Sequence, residues 1–524
     1  MSLIKSAATV SGLTLVSRIT GVVRDMLIAR FFGATAETDA FYVAFRLPNM
    51  LRRLFAEGAF QQAFVPMLSE VRETQSAEES RRFVNHVFTI LAAAVLLTSI
   101  LGVLASPLLV WAIAGGLRAN PAAFDLATAL TRFMFPYIAF MSLVALAASI
   151  LNTLRHFAIP AATPVLLNLS FIGFTVLLAP HLEEPVWALG FAVIVGGVLQ
   201  LAAQYAALVR LGIFVRPLGI GESFRDGAVR RVLKLMVPAL FGVGVAQLSI
   251  LINTNIASRL GHGAVTWLNY ADRLMEFPTA LLGVALGTVM LPGLSAAYAK
   301  GELERYNGLL DHGLRLVLLV GIPASVGLWL TADALVSFLF QGRSFSPDDV
   351  VRTGAAVTGY AVGLIGLIAL KIIAPAFYAR KDIRTPVKAA FFSLIVVQAV
   401  NLVAVPAFAH AGLALSVGIG SCVNAGSLLW ILRRRAIYSP LKGWGVYALR
   451  VFAGSAVMGA ALWFGQRGVD WTSLHWGVRA AGVLGMIAAA AALYFGVIVL
   501  LGWRLRDLRP RSASADAAAE TPRR

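Results

Sequence analysis

Cysteine is nearly missing: the single Cys422 in 524 residues excludes an internal disulfide and any thiolate-rich metal site. Charge is scarce too, at 13% of the chain against 59% hydrophobic residues. No soluble domain of this length needs so much apolar sequence, so the composition describes a polytopic helical membrane protein. Acids are the scarcer sign, 26 against 44 Lys and Arg, for a net charge of +18. The basic residues are scattered between apolar runs instead of clustered on one module. That excludes a nucleic-acid-binding domain and fits cytoplasmic loops between spans. Catalytic signatures are absent as well: no Gly-rich P-loop, no nucleophile elbow, no HExxH, and no histidines at ligand spacing. The chain reads as a non-enzyme that needs no cofactor. No small-residue cleavage site interrupts the first apolar run before Arg18, so that run reads as a retained span.

A hydrocarbon core about 30 Å thick asks for about 20 helical residues, and runs of that length number about fourteen. They fall at 9–32, 39–65, 87–113, 130–154, 161–178, 186–209, 235–260, 265–299, 313–340, 351–378, 387–409, 413–432, 446–464 and 478–501. A polar surface segment is expected at 69–82. From 210 to 234 apolar and basic residues interleave as in an interfacial amphipathic helix. The tail, 504–524, is small, polar and Pro-flanked, which predicts disorder. Alternate loops are basic (Arg81 and Arg82, 210–234, Arg380 to Arg384, 433–442). The opposite set is short and neutral or acidic (Glu37, Asp125, Glu183, Asp348). The positive-inside rule then puts both termini in the cytoplasm, in agreement with an even span count.

Two stretches repeat. FRLP at Phe45–Pro48 and the later Val65-Pro66 have counterparts in DRLMEFP at Asp272–Pro278 and Leu291-Pro292. Independently, the turn at Arg155-His156 followed by Thr163-Pro164 resembles Arg380-Lys381 followed by Thr385-Pro386. The simplest account is two parallel six-span bundles, a layout that transporters use with the binding site between repeats.

The sharpest anomaly is charge inside the apolar runs. A charge at mid-membrane costs roughly 2.5–3.5 kcal/mol even on a lenient insertion scale. Yet Arg18 and Asp25 share one face of the first span, with Arg24 beside them. In the second, Arg46, Asn49 and Arg53 form a stripe flanked by Arg52, and Glu57 lies one turn on. In the later copy Asn269, Asp272 and Glu276 form the matching stripe beside Arg273. Internal pairing (Arg18 with Asp25, Arg53 with Glu57, Arg273 with Glu276) leaves arginines over. An excess of guanidinium suits an anionic ligand, and Arg forks bind phosphate in pairs of hydrogen bonds. Lys371 and Asp39, ionisable groups in apolar surroundings, are candidate coupling groups, with snorkelling as the alternative for Lys371.

The stretches SRITGVVRDMLIARFFGA, TDAFYVAFRLPNMLRRLFAEGAFQQAFVPMLSE and NYADRLMEFPTALLGVALGTVMLPGLS closely resemble the MurJ/MviN family of bacterial lipid II flippases. That family belongs to the multidrug/oligosaccharidyl-lipid/polysaccharide exporter superfamily. The resemblance spans nearly the whole chain and is weakest after Arg433. It implies an all-α polytopic fold with two pseudo-symmetric six-helix lobes, 1–215 and 216–433, plus a terminal helix pair, 434–503. It implies an inner-membrane protein of cell-wall biosynthesis. Its substrate would be lipid II, the undecaprenyl-pyrophosphate-linked disaccharide pentapeptide, carried from the cytoplasmic to the periplasmic leaflet by alternating access. Membrane lipids and cell-wall synthesis proteins would be its neighbours. The family's cavity arginines match Arg18, Arg24, Arg52 and Arg273. Asp25, Asn49, Arg53, Glu57, Asp272 and Glu276 match neighbouring polar positions. Sodium sites described for some members use carboxylates in the seventh and eleventh helices, and 235–260 and 387–409 contain none. Sodium coupling is then not expected, the coupling ion stays open, and the membrane potential acting on the cavity charges is one candidate energy source. The alternative within the same superfamily is a cation-coupled drug exporter or an exporter of another lipid-linked oligosaccharide; a drug exporter for cations would carry a net acidic cavity. A membrane scaffold would have no use for intramembrane arginines.

Overall fold

Hydroxyl side chains set where several helices begin. Thr35 Oγ1 accepts from the Thr38 N–H at 3.3 Å, while Thr38 Oγ1 accepts from the Thr35 N–H at 2.8 Å. Ser76 with Glu79, and Ser346 with Asp349, build the same reciprocal cap. The computed structural model describes residues 3–53 and 60–504; Glu57 and the tail beyond 504 lie outside the described residues. Every regular element within them is helical. Nine helical stretches among the described residues are long and apolar enough to cross a membrane, from Ala77–Leu104 through Trp476–Leu500. One of them, Arg384–Arg434, is two helices joined at Ala409, whose φ of 48° breaks the rod where the sequence reading places a gap. The protein is an integral, all-helical membrane protein.

The chain forms two compact units, Met1–Thr266 with Gly342–Phe345, and Trp267–Gln341 with Ser346–Arg524. The first holds α1 (Leu3–Phe32), α2 (Ala36–Leu51), α3 (Phe60–Thr74), α4 (Ala77–Leu104), α5 (Ser106–Ala114), α6 (Pro121–Met134) and α7 (Tyr137–Thr153). It continues with α8 (Ala158–Gly173), α9 (Trp187–Arg210), α10 (Ile220–Arg225) and α11 (Gly227–Ala257). Here α1 lies along α8 and α8 along α9, while α2 packs on α6. At one end Phe60, Phe64, Phe83, Leu151, Leu208 and Val232 close a core from α3, α4, α7, α9 and α11. The rings of Phe60, Phe64 and Phe83 stack at 5.0 and 5.7 Å, and each buried Phe is worth about 1.5–3 kcal/mol. Gly33 ends α1 at φ 68°, and a Cβ there would sit 2.1 Å from the Ser344 carbonyl oxygen. Both the left-handed turn and the passing strand of chain require glycine.

Packing and repeat partition the chain differently. The repeat puts a boundary after 215, but α11 packs against α3 and α5, and the connector before it is tied to α4. Both therefore belong to the first unit.

The second unit holds α12 (Ala264–Ala299), which begins at the end of the first, then α13 (Leu303–Leu330), α14 (Ala332–Phe340) and α15 (Pro347–Ala379). It ends with α16 (Arg384–Arg434), α17 (Trp444–Gly465) and α18 (Trp476–Leu500). Small residues let α15 and α16 cross at backbone distance, as membrane helices do when packing alone drives association. A Cβ on Gly363 would lie 2.0 Å from the Gly418 Cα. On the other side α13 receives the terminal hairpin, with Leu319, Val451, Met458, Leu462, Tyr494 and Ile498 between them.

Candidate functional site

In the first unit the polar face of α1 is met by α8. Asn168 lies opposite Gly21, where a Cβ would sit 3.6 Å from its Nδ2, an ordinary contact distance. Its Nδ2 donates to the Ser17 carbonyl at 2.9 Å and to Thr20 Oγ1 at 3.1 Å, and its Oδ1 accepts from Arg24 Nη1 at 2.9 Å. Arg24 also grips Asp25 Oδ1 through Nε at 2.9 Å and Nη2 at 2.7 Å. One turn along α8 from Asn168, the Phe171 ring lies 5.5 Å from the Arg24 guanidinium carbon, a cation–π arrangement. Arg24 is thus aimed by a carboxylate, an amide and a ring. Internal pairing, the alternative that spacing allows, would join Asp25 to Arg18; the structure joins it to Arg24. Arg18 is half-buried and, among the described residues, has no hydrogen bond or ion pair.

On α2, Pro48 removes one backbone donor, and the helix passes at Arg52 and Arg53 into a wider π-type turn. There Asn49 Oδ1 accepts from Arg52 Nε at 3.1 Å and Nη2 at 2.9 Å. Arg46 crosses to donate to Thr254 of α11. Arg53, like Arg18, is half-buried without a hydrogen bond or ion pair among the described residues. Its expected partner Glu57 lies outside the described residues. Beneath the stripe Phe41 and Phe45 stack at 5.8 Å and meet Phe171 edge-on. This apolar floor raises the cost of any unmet charge above it.

Asp39 has a different setting. It is 2% exposed and accepts from the Gly263 N–H at 2.6 Å, the Thr266 N–H at 2.8 Å and Thr266 Oγ1 at 2.7 Å. Those bonds cap the first turn of α12 and satisfy the buried carboxylate.

In the second unit the expected stripe lies on α12. Arg273 Nη1 is 3.2 Å from Glu276 Oε2, both partly open to solvent, and Asn269 and Asp272 are half-buried on the same helix. Lys371 is exposed on α15 with no hydrogen bond or ion pair among the described residues.

The structure therefore joins Arg24 with Asp25, Arg52 with Asn49, and Arg273 with Glu276. It leaves Arg18, Arg53 and Lys371 as cations without a counter-charge among the described residues. Sequence reasoning misses Asn168, Phe171 and Thr254, which aim the arginines from neighbouring helices. A signal existed for Asn168, a lone amide in the apolar run 161–178, since polar groups at that depth are costly. Within the first unit Arg18, Arg24, Arg52 and Arg53 outnumber the one described carboxylate beside them, Asp25, a setting that favours a multiply charged anion such as a pyrophosphate.

Comparison with known proteins identifies the family. A family profile described as "Lipid II flippase MurJ" matches residues 28–478. The lipid II flippase MurJ of Burkholderia cenocepacia is 48% identical over 520 residues, covering 98% of this chain and 100% of that protein. The probable lipid II flippase MurJ of Vibrio cholerae is 37% identical, covering 97% and 98%. Among solved structures, a lipid II flippase MurJ in an inward closed conformation superposes with a TM-score of 0.78 over 94% of this chain and 99% of that one, at 24% identity. An inward-facing multidrug transporter of the MATE family superposes at 0.66 over 82% and 98%, at 14% identity, a likeness of fold alone. The chain belongs to the MurJ family of lipid II flippases.

Proposed function

We propose that this protein carries lipid II from the cytoplasmic to the periplasmic leaflet of the bacterial inner membrane, as a transporter and not as an enzyme. The observation that carries the reading is the set of half-buried guanidiniums in apolar helices, Arg18 and Arg53 with no counter-charge among the described residues and Arg24 held in a fixed direction. Such a set is costly until an anion reaches it. A pyrophosphate headgroup supplies that charge, while its polyprenyl tail stays in lipid. Family membership supports the same substrate class. The basic set disfavours a drug exporter for cations, which needs carboxylate in excess.

In this reading α1, the α2–α3 stretch, α11 and α12 cross the membrane along with the nine apolar stretches, and both termini face the cytoplasm. Arg18, Arg24, Arg52 and Arg273 engage the headgroup; Asp25 and Asn49 orient two of them. Neutralising the cluster relieves the mutual repulsion of its cations, so cargo and conformation are coupled. The site then opens alternately to each side, driven by the membrane potential on its charges. Depletion with complementation tests the site. Arg18→Ala, Arg24→Ala, Arg52→Ala and Arg273→Ala variants at normal expression are expected to lower lipid II in the outer leaflet by roughly tenfold or more, the equivalent of about 1.4 kcal/mol. Wild-type translocation in all four overturns the assignment.

A further inference from the structure

Residues 211–226 join α9 to α11 and contain the short helix α10. Hydrogen bonds fix the inner edge of this connector to α4. Asn85 Oδ1 accepts from the Arg216 N–H at 3.0 Å and Thr89 Oγ1 from the Leu218 N–H at 2.8 Å. His86 Nδ1 lies 2.9 Å from Ser223 Oγ, both buried, and Arg82 reaches Glu222 at 2.6 Å.

Depth follows from α4. Its apolar run begins at Val87 and continues past Leu104 into α5, longer than the about 20 helical residues that span the hydrocarbon, so Asn85 lies at or just outside the hydrocarbon edge. The charged first turns, through Arg82, then lie in water. A connector tied to residues 82–89 sits at the level of lipid headgroups.

Its outer side combines two features. Phe214, Ile220 and Phe224 are 54%, 60% and 55% exposed. On the connector the side chains of Arg216 and Arg225, and on the first turns of α11 that of Lys234, are exposed and have no ion pair or hydrogen bond among the described residues. The two acids nearby are already engaged, Glu222 by Arg82 and Asp226 by the N–H groups of Ala228 and Val229. Large apolar groups held outward by a fixed frame, with unpaired cations between them, match a bilayer surface bearing negative charge.

We propose that the connector is a docking surface for anionic phospholipid. Phe214, Ile220 and Phe224 enter the acyl boundary, and Arg216, Arg225 and Lys234 meet the lipid phosphates. The frame of α4 contacts presents these groups already ordered, so little conformational entropy is lost on binding.

The test reads lipid contact directly and leaves transport out of the measurement. A Cys422→Ser background receives Phe224→Cys, labelled with a bimane fluorophore, or Ile220→Cys as an independent second reporter. The full chain is reconstituted in equimolar phosphatidylcholine and phosphatidylglycerol, with one lipid or the other brominated in its acyl chains. Quenching is expected from both, roughly twofold or more stronger from the brominated phosphatidylglycerol at low salt. The ratio is expected to fall toward one at 1 M salt, where screening is short-ranged (Debye length about 3 Å). Arg216→Gln with Arg225→Gln and Lys234→Gln is expected to bring the ratio to one at low salt while quenching persists. Equal quenching by the two lipids in the parent protein overturns the proposal, as does a triple variant that keeps the preference. Absence of quenching with free access of aqueous iodide at both positions overturns the insertion itself.

Discussion

Arg24 shows how one residue acquires a direction. Asp25 offsets its charge, Asn168 takes one edge of the guanidinium, and Phe171 covers its face. Asn168 is 6% exposed and links α8 to α1 through three hydrogen bonds. Interhelical hydrogen bonds in membranes average about 0.6 kcal/mol, with a maximum near about 1.7. Replacing Asn168 by leucine removes all three and leaves Arg24 Nη1 without its acceptor. The expected loss is about 1–2 kcal/mol of stability, seen as a lower melting temperature in detergent, together with a severalfold fall in lipid II translocation. An unchanged melting temperature with unchanged translocation removes Asn168 from the site. The arginines themselves were legible as charges in apolar runs, because their cost there has few innocent explanations. Their partners were not. Spacing along α1 relates Arg18 to Asp25 but carries no information about which face of α8 arrives, and α8 decides that Arg24 takes the carboxylate.

At the scale of elements, helix existence and even the break at Ala409 followed from apolar run length and punctuation. The crossing of α15 and α16 did not, since glycine in an apolar run reads equally well as a turn, a bend or a contact. Here it is a contact. Gly359, Gly363 and Gly366 recur on one face of α15 and meet the α16 backbone near Ala411, Gly418 and Cys422. At Gly363 an added methyl would meet main-chain atoms at 2.0–2.6 Å, and backbone cannot rotate out of the way as a side chain can. Gly363→Ala is therefore expected to cost roughly 1–3 kcal/mol through overpacking. Gly426→Ala, where nothing lies within 4 Å, is the control and is expected to leave the melting temperature unchanged or slightly raised. Equal behaviour of the two variants contradicts the close crossing. The helix ends carry another shared device. Arg155 and Lys381, from the two matched turns, both take φ near 60°, and each is followed by an N–H bonded back to a carbonyl five residues earlier. That is the Schellman closure, built here without glycine.

At the scale of the whole molecule, the terminal hairpin reads in the sequence as an appended pair, yet the structure builds it into the second unit at both ends. At one end Asp311 is 1% and Arg315 8% exposed, and they pair at 2.7 Å. Asp311 also accepts from Tyr438 Oη at 2.8 Å, the Leu441 N–H at 3.1 Å and Trp444 Nε1 at 2.6 Å. Arg315 donates to the Lys442 carbonyl at 3.0 Å and lies over the rings of Trp444 and Tyr447. At the other end Arg479 of α18 donates to the Ser337 carbonyl at 3.1 Å and to Gln341 Oε1 at 2.5 Å, while Gln341 Nε2 donates to the Thr472 carbonyl at 2.9 Å. The i, i+4 spacing of Asp311 and Arg315 suggests a simple surface pair on one helix. Its use as a clamp depends on residues well over a hundred positions away, which one-dimensional spacing cannot reach. Removing one member of a buried pair costs about 3–5 kcal/mol because the other is left uncompensated, whereas replacing both with apolar groups is often neutral. Asp311→Ala is thus expected to lower the melting temperature sharply and to open the 435–443 connector to protease. Asp311→Leu combined with Arg315→Met is expected to recover most of that stability. If the single variant leaves the connector protected, the hairpin is held by its apolar seam alone, and truncating Met458 and Leu462 to alanine is what should then release it.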